Sequence, residues 1–142
     1  MAQLAPQLPL AEDASTQYAM ITDYPKLALQ NLKMLILTIP GERIMDPEFG
    51  VGILRYLFEN NDSSVRAEIT AKIYQQVERY LPYLQILDID YHSSMEDSTV
   101  SEHYLGIRIK FNIVPIGIIT ALSLSINGSD ITTSGEIVTY SW

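Results

Sequence analysis

The sequence predicts an α+β fold in which N-terminal helices pack on one face of a three- to four-stranded antiparallel sheet. Three observations carry this expectation. Apolar residues recur at helical spacing up to residue 81. From residue 85 onward they alternate with polar ones. Pro-Gly, Asn-Asn-Asp and Asn-Gly sequences punctuate the segments between. At 142 residues one domain is expected, long enough to bury a core without covalent staples, and the chain has no Cys.

Residues 1–24 read as an extended arm: Pro6 and Pro9 interrupt it, and no period holds. Residues 26–39 read as a helix, with Leu29, Leu32, Leu35, Ile36 and Ile39 on one stripe and Pro40-Gly41 as its stop. Leu27, Met34 and Leu37 fall off that stripe, so the helix is apolar over most of its circumference and needs cover on more than one side. Such a helix is either central to its own domain or shared with partner subunits. Residues 40–50 form a loop bracketed by turn residues. A short amphipathic helix is expected over Val51–Glu59, with Leu54, Leu57 and Phe58 inward. The run from Asn60 to Ser63 ends it and supplies an N-cap. The clearest helix covers 64–81: Val65, Ile69, Ile73 and Val77 recur every fourth residue, continued by Tyr80 and Leu81. Arg66, Lys72, Gln75, Gln76 and Arg79 are assigned to its other faces, with Glu68 paired to Lys72 one turn on. Pro82 ends it.

The remainder alternates. Residues 85–91 place Leu87, Ile89 and Tyr91 on one face and Asp88 and Asp90 on the other. Residues 104–113 place Leu105, Ile107, Ile109, Phe111 and Ile113 inward, with Arg108, Lys110 and Asn112 outward. Residues 119–127 set Leu122, Leu124 and Ile126 against Ala121, Ser123 and Ser125. This pattern marks an antiparallel sheet with one solvated face, on which Asp88 and Asp90 would meet Arg108 and Lys110. Asn127-Gly128 signals a turn. The tail from Glu136 to Trp142 is a further candidate strand, so the organisation is an arm (1–24), a domain (25–127) and a β tail (128–142).

Nine basic residues against 17 acidic ones leave a net charge of -8, which disfavours binding to nucleic acid or an anionic membrane. No run approaches the ~18 apolar residues of a membrane helix, and a secretory signal is not expected because the first basic residue is Lys26. Candidate chemistry is thin. His92 and His103 flank a polar loop holding Glu96 and Asp97, a set that reads as solvated strand ends rather than a metal site. Gly50-Val51-Gly52 lacks the third glycine of a dinucleotide fingerprint, and no P-loop or nucleophile elbow is present. Glu42 and Glu48 are the one carboxylate pair to consider for glycoside hydrolysis. Their loop setting makes them solvated or ion-paired groups, with Arg43 the nearest cation in sequence. No cofactor, metal or small-molecule substrate is expected.

The segment from Gln30 to Phe58 carries a specific likeness. An apolar helix ends in Leu35-Ile-Leu-Thr38 and runs into Pro40-Gly-Glu-Arg43 and then Pro47-Glu-Phe-Gly50. A short helix ending Leu57-Phe58 follows. This order and spacing resembles the baseplate wedge protein, or sheath initiator, of contractile injection systems, a family spanning contractile phage tails, R-type pyocins and type VI secretion systems. The likeness extends over roughly residues 25–127. One departure is plain: where the family often has Glu-Pro-Arg between the long helix and the first strand, this chain has Leu81-Pro82-Tyr83, which keeps the corner proline and loses both charges.

The resemblance implies a structural, non-enzymatic subunit in the tail baseplate of a virion or related machine, assembled in the bacterial cytoplasm. It implies a hetero-oligomer with other wedge subunits below and the tail sheath protein above. A lysozyme-like label has been attached to the family, but no residue pattern here supports that activity. On this view Leu29, Leu32 and Ile36 meet partner helices. The loop residues Glu42, Arg43, Pro47, Glu48 and Phe49 shape a wedge contact, with Phe49 anchored inward, and Pro82 marks the corner. The tail, with Ile137, Val138, Tyr140 and Trp142, joins a neighbour's sheet by strand addition. The alternative is a regulatory binding module, since the family's fold is shared with a small anti-adaptor that binds a response regulator. A peptidoglycan-cleaving enzyme is the remaining possibility.

Overall fold

Pro25 sets where the first helix begins. Proline lacks an N–H but is tolerated in a first turn, so α1 runs Tyr24–Leu37, two residues earlier than the stripe predicts. It also ends earlier, because Pro40 disfavours helical backbone at Ile39 and Thr38 is already extended (φ -67°, ψ 126°). This computed structural model describes residues 3–15, 17–59, 62–93, 104–127 and 130–138. Ala28, Leu32, Leu35 and Ile36 of α1 are buried. Leu27, Leu29 and Leu37 are half-buried, and Met34 is 37% exposed, so the chain covers one side of this helix fully and its flanks in part.

The arm ahead of α1 is not featureless. Residues Ala5–Pro6 (β1) pair antiparallel with Met20–Ile21 (β2). The carboxamide of Gln30 in α1 ties the arm down, accepting from Leu8 N (3.0 Å) and donating to Pro6 O (3.1 Å).

After the loop, a 3-10 helix at Ile53–Phe58 stands where a longer amphipathic helix is expected. Val51 and Ile53 fill the core there, and Leu54 is half-buried. The next helix, α2, spans Ser63–Tyr80, and the Asp62 carboxylate accepts from Ser63 N at its start. Ile69, Ile73 and Val77 are buried as their spacing requires, and so is Leu81 beyond the end. Gln76, expected on an outer face, is buried with them. Glu68, expected to pair with Lys72, accepts from the Tyr56 hydroxyl at 3.2 Å.

Four strands complete the fold: β3 (Leu84–Ser93), β4 (Tyr104–Ile113), β5 (Ile118–Asn127) and β6 (Asp130–Val138), joined antiparallel in sequence order. β4 buries all five of its expected inward residues. β3 corrects one expectation: Leu87 is 47% exposed, not inward. The register slips between Ile86 and Asp88, so Leu87 is the extra residue of a bulge. Without it, Leu84 and Ile86 could not share a face with Ile89 and Tyr91, because strand parity is two. The register sets Asp88 opposite Lys110 and Asp90 opposite Arg108. On β5, Ala121 is buried although it lies on the outer face, between Lys110 of β4 and Glu136 of β6 in register. β6 begins at Asp130, ahead of the expected Glu136. Gly128 of the expected turn lies outside the described residues.

Candidate partner-binding surfaces

The loop at 40–50 is built from its base outward. Gly50 adopts φ +114°, and a Cβ there would come 2.2 Å from Thr38 O, so only glycine brings the returning chain this close to the end of α1. Val51 N then donates to Leu35 O (3.0 Å), satisfying one of the carbonyls a helix end leaves open. Gln76 reaches up from α2: its Oε1 accepts from Gly50 N and its Nε2 donates to Glu48 O, each at 3.0 Å.

Aromatic and charged groups pin the outer half. Phe49 is buried and meets the Tyr80 ring edge-on, with centroids 4.9 Å apart. The Arg43 guanidinium lies over the other part of this pair, 3.8 Å from the Phe49 centroid. Tyr80 donates to Asp46 Oδ1 at 3.0 Å; partial desolvation first, then this carboxylate, pushes its hydroxyl above the ordinary tyrosine pKa. The carboxylates considered for catalysis have structural partners. Glu42 accepts from Ile39 N (2.9 Å), and Glu48 pairs with Arg79 of α2 rather than with Arg43. What remains at the tip is apolar: Ile44 and Met45 are 93% and 96% exposed.

Other expected contact residues are dispersed. Leu32 and Ile36 are fully buried within the domain, while Leu29 is half-buried and reaches Gly135 of β6. Pro82 is exposed at the helix–strand corner. There Asn31 Nδ2 donates to the Tyr83 hydroxyl (2.9 Å), tying α1 to a corner that lacks charges. Pro47 is exposed beside Glu48. Ile137 and Val138 pair with Thr120 and Ile119 in β6. Tyr140 and Trp142 lie outside the described residues, as do His103, Glu96 and Asp97, and the His92 side chain is exposed. Among the described residues no group of three or more His, Cys, Asp or Glu could hold a metal ion. The functional residue that sequence reasoning misses is Gln76. Its signal was spacing: it lies three residues after Ile73 and beside Val77, inside the apolar stripe.

The sheet has two edges of different character. β3 is bulged and packs near α2, features that blunt an edge. β6 runs nine residues in unbroken register with β5, contains no proline, and among the described residues no strand pairs its outer side.

Two solved structures share this fold. One is the cryo-EM baseplate of the anti-feeding prophage, with a chain 23% identical over 80% of this chain and 86% of that one, TM-score 0.66. The other is a crystal structure from Geobacter sulfurreducens described as a tail lysozyme, 18% identical over 87% of this chain and all of that one, TM-score 0.56. No curated protein sequence matches. The model of the family described as baseplate wedge protein gp25 matches residues 26–114, from α1 to just past β4, and the chain therefore belongs to that family.

Proposed function

We propose that this chain, a baseplate structural subunit by family, links the wedge complex to the first ring of the tail sheath and starts the sheath by strand addition. The observation that carries this reading is the edge of β6: regular, free of proline and, among the described residues, unpaired on its outer side, where β3 is bulged. Main-chain donors and acceptors along such an edge are satisfied in an assembly by a neighbour's strand. The pinned loop at 40–50 and the flanks of α1 face the wedge subunits, and no step of this role is catalytic. The subunit acts in the baseplate of a contractile tail, and the sheath protein is its upper partner.

Deletion of Ile137–Trp142 tests the reading. The shortened protein should keep its circular dichroism spectrum and its wedge partners, yet fail to nucleate sheath in a reconstituted assembly. Sheath formation at the normal rate would remove the role assigned to this edge.

A further inference from the structure

We infer that Ile44 and Met45 form an apolar plug, received by a recess lined with apolar side chains on a neighbouring baseplate subunit. This rests on the preceding reading of the loop at 40–50 as a wedge contact and names the chemistry of that contact: hydrophobic burial, not ion pairing.

Both side chains are almost fully exposed, and among the described residues the next most exposed large apolar side chain is Leu10 at 62%. Scattered exposed apolar residues need no explanation, but these two are adjacent and held in place. Arg43 precedes the pair and stacks on the buried Phe49; Asp46 follows it and accepts from the Tyr80 hydroxyl. Asp46 O also accepts from Phe49 N (3.2 Å), which closes the turn behind the pair. With tethers on both sides the loop is ordered before a partner arrives, so little of the gain from burial is lost to ordering. The charged side chains of the loop are engaged within the chain: Glu42 on Ile39 N, Arg43 on Phe49, Asp46 on Tyr80 and Glu48 on Arg79. What the loop offers outward is then Ile44, Met45 and the exposed Pro47, all apolar. Two side chains between tethered neighbours make a small convex feature, which buries most of its surface in a recess and little of it on a flat face. A lipid surface is the poorer occupant. Glu42, Asp46 and Glu48 flank the pair and the chain carries a net charge of -8, which an anionic bilayer repels. A baseplate subunit is the fitting one, because the chain belongs to a family of baseplate wedge proteins.

The test uses the full chain, labelled for fluorescence anisotropy, and the wedge complex of the same tail assembled without it. Ile44→Gln with Met45→Gln should bind about a hundredfold more weakly at an unchanged melting temperature. Ile44→Leu with Met45→Leu should bind within about threefold of the unaltered chain. Peroxide footprinting reads the same site without a substitution and serves if the Gln variant misfolds. Met45 should oxidise readily in the free chain and several-fold more slowly in the complex. Unchanged binding of the Gln variant, an equal loss in both double variants, or a Met45 oxidised as fast in the complex as in the free chain overturns the plug and leaves the wedge reading of the loop standing. Failure of the unaltered chain to bind the wedge complex overturns that reading and this inference with it. Self-association of the unaltered chain that the Gln variant abolishes assigns the pair to a second copy and likewise overturns the inference.

Discussion

Gln76 and Gly50 are joined by a buried 3.0 Å hydrogen bond between a helix side chain and a loop backbone N–H. The other end of the same carboxamide holds Glu48 O. One neutral group thus fixes both sides of Phe49, the ring that anchors the loop. Replacing Gln76 by Leu keeps the volume and removes both bonds, leaving the Gly50 N–H buried without a partner. The expected loss is about 2–3 kcal/mol, measured by urea unfolding. A loss below about 0.5 kcal/mol would show that the loop is held by its aromatic contacts alone.

Gly50 and Gly41 separate backbone strain from close approach. Both have positive φ, +114° and +99°, but a Cβ at Gly50 collides with the Thr38 backbone whereas one at Gly41 meets nothing within 4 Å. Gly41→Ala should cost about 1–2 kcal/mol, from backbone conformation alone. Gly50→Ala should cost about 3 kcal/mol or more, because the end of α1 must move. Equal melting temperatures for the two variants would contradict this account.

The sequence made the elements legible where one face is buried in a regular run. β4 alternates without exception, and Ile69, Ile73 and Val77 place α2. It failed where a single residue breaks the rule of its element. Leu87 reads as inward by strand parity, and only the pairing register reveals the bulge that turns it outward. Gln76 reads as a surface residue by polarity, and only the loop above it supplies the two partners that make its burial favourable. Arg43 follows Glu42 directly and is the cation nearest to Glu48 in sequence, yet it stacks on Phe49, and Arg79 takes Glu48. Sequence proximity does not say which of several groups a short loop brings together. The motif at 40–50 was visible as a pattern; the division of labour within it was not.

That division makes Arg43 a useful probe. Its stacking on Phe49 is solvent-exposed, so Arg43→Glu should lower stability by no more than about 1 kcal/mol. If the loop is a wedge contact, the same substitution weakens co-purification with wedge subunits while the melting temperature is nearly retained. Loss of the fold itself would restrict Arg43 to a structural role. Ile44→Ser with Met45→Ser gives the complementary case: both side chains are almost fully exposed, so folding should be unaffected and any loss of assembly belongs to the contact.

Alkaline pH should loosen the packing of α2 on the sheet. The Tyr91 hydroxyl lies 2.6 Å from Thr70 Oγ1 and donates to Arg66 O (3.2 Å), fixing β3 against α2. Burial raises its pKa above the ordinary 10.0, an effect that the Thr70 contact partly offsets. Tyr56 and Tyr80 shift the same way, each first through desolvation. A raised pKa means that the folded state holds the phenolic proton more tightly than the unfolded chain does. This contribution to stability is fully present below pH 10.0 and is lost as pH rises through the folded-state values. Urea unfolding should therefore show stability falling with pH above about 10. Tyr91→Phe should cost about 1 kcal/mol at neutral pH, through its lost hydrogen bond, and should make the alkaline decline shallower, because one of the three shifted groups is gone. An alkaline decline of unchanged slope in Tyr91→Phe would assign the pH dependence to Tyr56 and Tyr80 and leave Tyr91 a packing residue only.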